Sequence, residues 1–241
     1  MWTDSSTSFN LYRELYIYII PGMSFLIPLI FMLYNIGISI PLDYIIYSSK
    51  QGENVSLIFL IAVFFVFIVL CTIIGHAFYN LSSITMKIFY MISRKSYNEI
   101  SQKKDTIRKI VEYDPTFETF REDIHNYKVE INSVPIYLII DEVDLLKNSD
   151  IHLRYLDRYG TLMSMNKSLS FSFFLLTLID VSIILTQYLL RNYAENALVL
   201  FVSLVVFTTL SLVFMHRTSI LEKDFLDRLI ITFLISKNVK P

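Results

Sequence analysis

Cysteine occurs once in the 241 residues, glycine five times, and charged side chains make up only 18%. Each scarcity excludes something. The lone Cys71 can neither close a disulfide within the chain nor build a cysteine-based zinc site. The glycines, Gly22, Gly37, Gly52, Gly75 and Gly160, include no Gly-x-x-x-x-Gly-Lys turn whose backbone N–H groups could cradle a phosphate. The stretch PIYLIIDEVDLL, Pro135–Leu146, has the outline of an ATPase strand ending in a metal-holding Asp. Without the cradle, nucleotide hydrolysis is not expected. The histidines, His76, His125, His152 and His216, show no His-x-x-x-His spacing, and no nucleophile-elbow pattern is present. The sequence therefore predicts no catalytic residue, metal or cofactor. A net charge of −1 gives no reason to expect direct nucleic-acid binding.

What the chain has in abundance is apolar sequence, 54% of its residues. It is concentrated in four runs, at 15–36, 55–79, 169–190 and 197–215. Each is close to the ~20 residues that an α-helix needs to cross a hydrocarbon core of about 30 Å. The runs are continuous rather than alternating, which excludes a membrane β-barrel. The expected fold is all-α, a polytopic membrane protein with four transmembrane helices. Its segments are 1–80 with the first two spans, a helical insert at 81–168, 169–215 with the last two spans, and a C-terminal tail at 216–241. The first run is too long for a signal peptide. Pro21 in "IIPG" predicts a kink in it, because proline removes a backbone donor. Of the 21 Lys and Arg, only Lys50 and Arg191 fall in the loops 37–54 and 191–196. By the positive-inside rule both termini and the insert are expected in the cytoplasm, and the lipid bilayer is the first partner.

The insert is too long for a simple connection, so it is expected to carry structure. The second run should continue as a helix through "LSSITMKIFYMISRKSYNEI", followed by "SQKKDTIRKIVEYD" and a break at Pro115. Its basic cluster, Arg94, Lys95, Lys103, Lys104, Arg108 and Lys109, can serve anionic headgroups or form a solvated face. Before the third run, "NSDIHLRYLDRYGTLMSMNKSLSF" reads as a stalk helix. His152, Arg154 and Arg158 are its candidates for a phosphate or nucleotide signal, and charges on a packed stalk are the other reading. The two stalks should bury a core between them, with 113–148 packed at the side. Pro135 suits the first turn of a helix capped by Ser133. Asp141, Glu142 and Asp144 would then form an exposed acidic cluster that docks a cytoplasmic protein partner or the Lys cluster itself.

Polar groups within the spans carry the remaining information. A carboxylate at mid-span costs at least ~2.5–3.5 kcal/mol on insertion scales, so it faces a bundle interior or a wet cavity. Asp180 sits mid-run in "LTLIDVSIILTQ", with Gln187 two turns further on. With His76 and Asn35 they are candidates for a pore or an oligomer axis. Asn35, Thr72, His76, Thr186, Thr208, Thr209 and Ser211 are possible partners of Asp180 or of one another. The other reading makes Asp180 a packing group hydrogen-bonded between helices. Four helices fill their own interior, so a conducting path requires several copies. Cys71 and Gly75 form one small-x-x-x-small pair for close approach.

Three fragments, YIIPG, GHAFYNLSS and RYLDRYGTLMSMNKSLSFSF, together resemble bacterial four-helix integral membrane proteins associated with phage-defence loci. The resemblance covers a minority of the chain. It implies a non-enzymatic accessory or effector subunit of the inner membrane, antiviral in role. Such a subunit would oligomerise and alter membrane permeability on a cytoplasmic signal. A scaffold that tethers a cytoplasmic partner, and a small transporter, are the alternatives.

Overall fold

The computed structural model describes residues 14–35, 57–114, 117, 150–189 and 197–238, with side chains at 14–34, 61–114, 117, 158–188 and 197–233. A π-helical stretch, Leu15–Ile19, leads into α1 (Ile20–Asn35). Then come α2 (Leu57–Leu81), α3 (Ser83–Ile92), α4 (Arg94–Tyr113), α5 (Asp150–Leu189) and α6 (Ala197–Asn238). No strand occurs among the described residues. Four segments are long and apolar enough to cross a membrane: Leu15–Tyr34, Ile61–Leu81, Arg158–Tyr188 and Ala197–Phe233. Their outward faces carry Phe64, Phe65, Val66, Ile73, Leu198 and Phe201, each more than half exposed. A surface of that kind suits lipid, and the chain has the architecture of a multi-pass membrane protein.

At "IIPG", where a kink was expected, the feature found is the π-helix. Pro21 has no N–H to give the turn before it, and the preceding turn widens so that the Ile20 N–H donates to the Leu15 carbonyl. The second run does continue past Leu81, but in three pieces. Single non-helical residues, Ser82 and Ser93, separate α2, α3 and α4. At the far end Asp114 is extended (φ −79°, ψ 127°), as steric conflict with the ring of Pro115 demands.

The chain divides into two compact units, Met1–Phe89 with Ser164–Arg217, and Tyr90–Met163 with Thr218–Pro241. In the first, Phe25, Met32, Phe78, Leu169, Phe171, Phe173, Leu176 and Phe207 form the core. Phe78 of α2 meets Phe25 of α1 at 5.0 Å and Phe171 of α5 at 5.3 Å, both edge to face. Six consecutive residues of α5, Ser168–Phe173, are all buried, so the helix is enclosed on every side there. Serine at 168, 170 and 172 makes this possible. Its small side chain admits close neighbours, and its hydroxyl can be satisfied by its own helix, as Ser168 and Ser170 are by the carbonyls of Ser164 and Lys167.

In the second unit Ile100, Ile107 and Val111 of α4, Phe117, and Leu226, Leu229 and Phe233 of α6 form a separate core. The α4 residues recur at helical spacing, and so do those of α6. Phe117 and Phe233 stack with centroids 5.6 Å apart. The described partner of α4 is therefore the far half of α6. The stalk preceding the third run, where a partner was expected, contributes Tyr159, whose ring lies 5.0 Å beneath the Arg228 guanidinium. Residues 216–238, expected as a tail, continue the helix of the fourth run.

Candidate functional site

Asp180 is fully buried in the first unit. Its Oδ2 accepts a hydrogen bond from the Ser203 hydroxyl of α6 at 2.8 Å, while Oδ1 has no hydrogen-bond partner among the described residues. The geometry is that of an inter-helix polar clasp. Hydroxyls expected as partners are used elsewhere. Thr72, Thr186, Thr208 and Thr209 each donate to the carbonyl four residues back in their own helices. Ser211 donates to the Ser170 carbonyl at 3.0 Å. The His76 ring lies 4.5 Å from that of Tyr18, where the π-helix meets α2. Ser203 itself was missed. A signal was present: α5 and α6 are joined by a short connection, so residues at similar counts from it lie at similar depth, and Ser203 interrupts an aliphatic run there.

Gln187 is half-buried in an open groove of about 410 Å³, lined by α5 residues Leu178, Ile179, Ser182, Ile183 and Thr186. Asp180 and His76 are not among that lining. Asn35 ends α1, and its side chain lies outside the described residues. Arg158 is exposed on α5. His152 and Arg154 are helical, with side chains outside the described set, as are Pro135–Leu146 with Asp141, Glu142 and Asp144. No group of three or more His, Cys, Asp or Glu able to hold a metal occurs among the described residues.

A double-mutant cycle with Asp180→Ala and Ser203→Ala should return a coupling of about 0.6 kcal/mol, and at most ~1.7, as membrane-embedded hydrogen bonds do. Reversible unfolding in mixed micelles would measure it. A coupling of zero would show that the clasp is not formed.

The second polar assembly lies in the second unit and was not foreseen. Glu222, nearly buried, accepts from the Tyr90 hydroxyl at 2.7 Å through Oε2 and from Lys104 Nζ at 2.8 Å through Oε1. Lys103 pairs with Asp227, and Lys223 with Glu99. Two members of the expected headgroup cluster, Lys103 and Lys104, are thus committed to α6. Burial, and then the negative Glu222, push the Tyr90 phenol well above its usual range, so it stays a neutral donor. The hydrogen bond from Lys223 holds the Glu99 carboxyl below its ordinary value. A depressed folded pKa contributes stability that is present above the unfolded value, about 4.3, and fades as pH falls through the lower folded one. Glu99 is exposed, so the loss is small. In an acid titration of thermal stability, Glu99→Gln should flatten the curve only below that value. A difference between variant and wild type that grows with falling pH from neutrality would contradict the assignment.

Comparison with known protein families, curated proteins and solved structures returns no match to this chain.

Proposed function

We propose that the chain is a non-enzymatic effector or accessory subunit of the bacterial inner membrane, oligomeric, with both termini in the cytoplasm. In this reading it alters membrane permeability when a cytoplasmic partner or signal engages the second unit, as a component of antiphage defence. The observation that carries the proposal is the continuity of α6. One unbroken helix of 42 residues, about 63 Å long at 1.5 Å per residue, holds both a membrane-crossing stretch and half of the second core. In this reading a displacement at Leu226–Phe233 is passed along the same helix to the span.

A scaffold that tethers a cytoplasmic protein without transport is the second reading. It is favoured by the enclosure of Asp180, whose carboxyl is engaged by Ser203 within one chain rather than turned to a shared axis. The two part on one measurement. In nanodiscs the effector should run as an oligomer, and with its partner it should release a trapped ion from liposomes. A monomer, or an oligomer that never conducts when the partner is bound, would leave only the scaffold.

A further inference from the structure

The junction of α3 and α4 exposes an unusual mixture. Met91 and Ile92 are 75% and 74% exposed, Tyr97 is 54% exposed, and Arg94 and Lys95 between them are also exposed. Two adjacent aliphatic side chains at that exposure are covered by something apolar in a stable protein. The charge beside them is positive: no Asp or Glu occurs between Glu53 and Glu99, and Glu99, four residues from Lys95, is already paired with Lys223, so an anionic cover fits. Neither Arg94 nor Lys95 is in an ion pair with a described residue, whereas Lys103 and Lys104 are.

Depth identifies the cover. The Thr85 hydroxyl of α3 lies 3.1 Å from that of Ser170, whose carbonyl accepts from Ser211, so three helices share one level. Ser211 is fourteen residues into α6, or about 21 Å from its start at 1.5 Å per residue. Met91 lies six residues beyond Thr85 in the same helix, at most ~9 Å further. It therefore falls about 30 Å from the level at which α6 begins, at the opposite edge of a hydrocarbon core. Arg94 and Lys95 follow Met91 by three and four residues in the chain, and Tyr97 by six, the order in which basic and aromatic residues border a span.

We propose that residues 91–97 are a docking surface for the anionic headgroups of the bilayer, with Met91 and Ile92 inserted at the acyl boundary and Arg94 and Lys95 on lipid phosphates. The chemistry is that of an interfacial anchor with an apolar face and a basic rim. Such a contact would hold the start of α4 at the membrane surface.

The test uses the full chain in nanodiscs. On a Cys71→Ser background, Met91→Cys carries an environment-sensitive fluorophore. Lipids bearing a quencher near the headgroup should quench it strongly, and aqueous iodide weakly. Strong iodide quenching with no lipid quenching would place the face in water or against a soluble protein, and overturn the proposal. Separately, the chain should retain phosphatidylglycerol over phosphatidylcholine, and Arg94→Gln with Lys95→Gln should weaken that preference about fivefold per charge removed. An unchanged preference would overturn the lipid assignment. So would inorganic phosphate at millimolar concentration abolishing it, since that would identify a soluble anion site.

Discussion

Substituting Gly75 or Gly22 by leucine should separate α2 from the first helical segment and make Cys71 reactive. A Cβ at Gly75 would stand 1.8 Å from the Tyr18 carbonyl oxygen, and one at Gly22 1.9 Å from the Cys71 carbonyl oxygen. Both obstacles are backbone, so no side-chain rotation relieves them. The contact is reciprocal: Tyr18 and Gly22 lie four apart on one helical segment, and Cys71 and Gly75 four apart on the other, meeting head to tail. The backbones come this close because neither glycine has a side chain to hold them apart. Overpacking of ordinary cores costs typically 1–3 kcal/mol, and here the expected destabilisation lies at or above ~3. Cys71, fully buried, reports it directly as the only thiol in the chain. A membrane-permeant maleimide should leave the wild type unlabelled and label both leucine variants within the same time. Gly160→Ala is the control. Nothing lies within 4 Å of its Cβ position, and as a residue inside α5 it should gain about 0.5–1 kcal/mol. If both leucine variants keep Cys71 protected and melt with the wild type, the close crossing is absent.

That crossing also shows which features were legible. The small pair Cys71 and Gly75 could be seen in the sequence, but not that its counterpart is Gly22 in the same chain. In a run that is apolar all round, no periodicity distinguishes the face that meets a helix from the face that meets lipid. The four spans were legible because length and hydropathy alone decide them. The same blindness hid the enclosure of α5, where buried serines read as ordinary polar interruptions. Ser203 was passed over although its depth was legible, since a hydroxyl within a span is usually satisfied by its own helix, as four threonines here are. The pairing of Lys103 and Lys104 with Asp227 and Glu222 was hidden for a different reason: a count of cations near a span takes no account of acids arriving on another helix.

Replacing Phe233 by alanine should unfold the second unit while leaving the spans folded. Phe233 is 1% exposed, stacks on Phe117, and shares its core with Leu226 and Leu229 of α6 and Ile100, Ile107 and Val111 of α4. Truncating a buried phenylalanine costs about 3–5 kcal/mol, a large part of what so small a core can supply. The ion pairs cannot compensate, since Lys103, Asp227, Lys223 and Glu99 all retain solvent access and exposed pairs contribute ~1 kcal/mol or less. Glu222 is the exception. Once the core loosens, its carboxylate loses Tyr90 and Lys104 together, so the transition should be cooperative. Amide exchange in α4, Arg94–Tyr113, should rise by orders of magnitude in the variant. Exchange in Ser168–Phe173, at the centre of the first unit, should stay slow. Were residues beyond Arg217 only a tail, exchange in α4 would be unchanged, and that result would remove the second core. Under the effector proposal the same variant should also be silent, inserted and oligomeric but unresponsive to its partner, because α6 no longer holds the surface through which a signal is passed to its span.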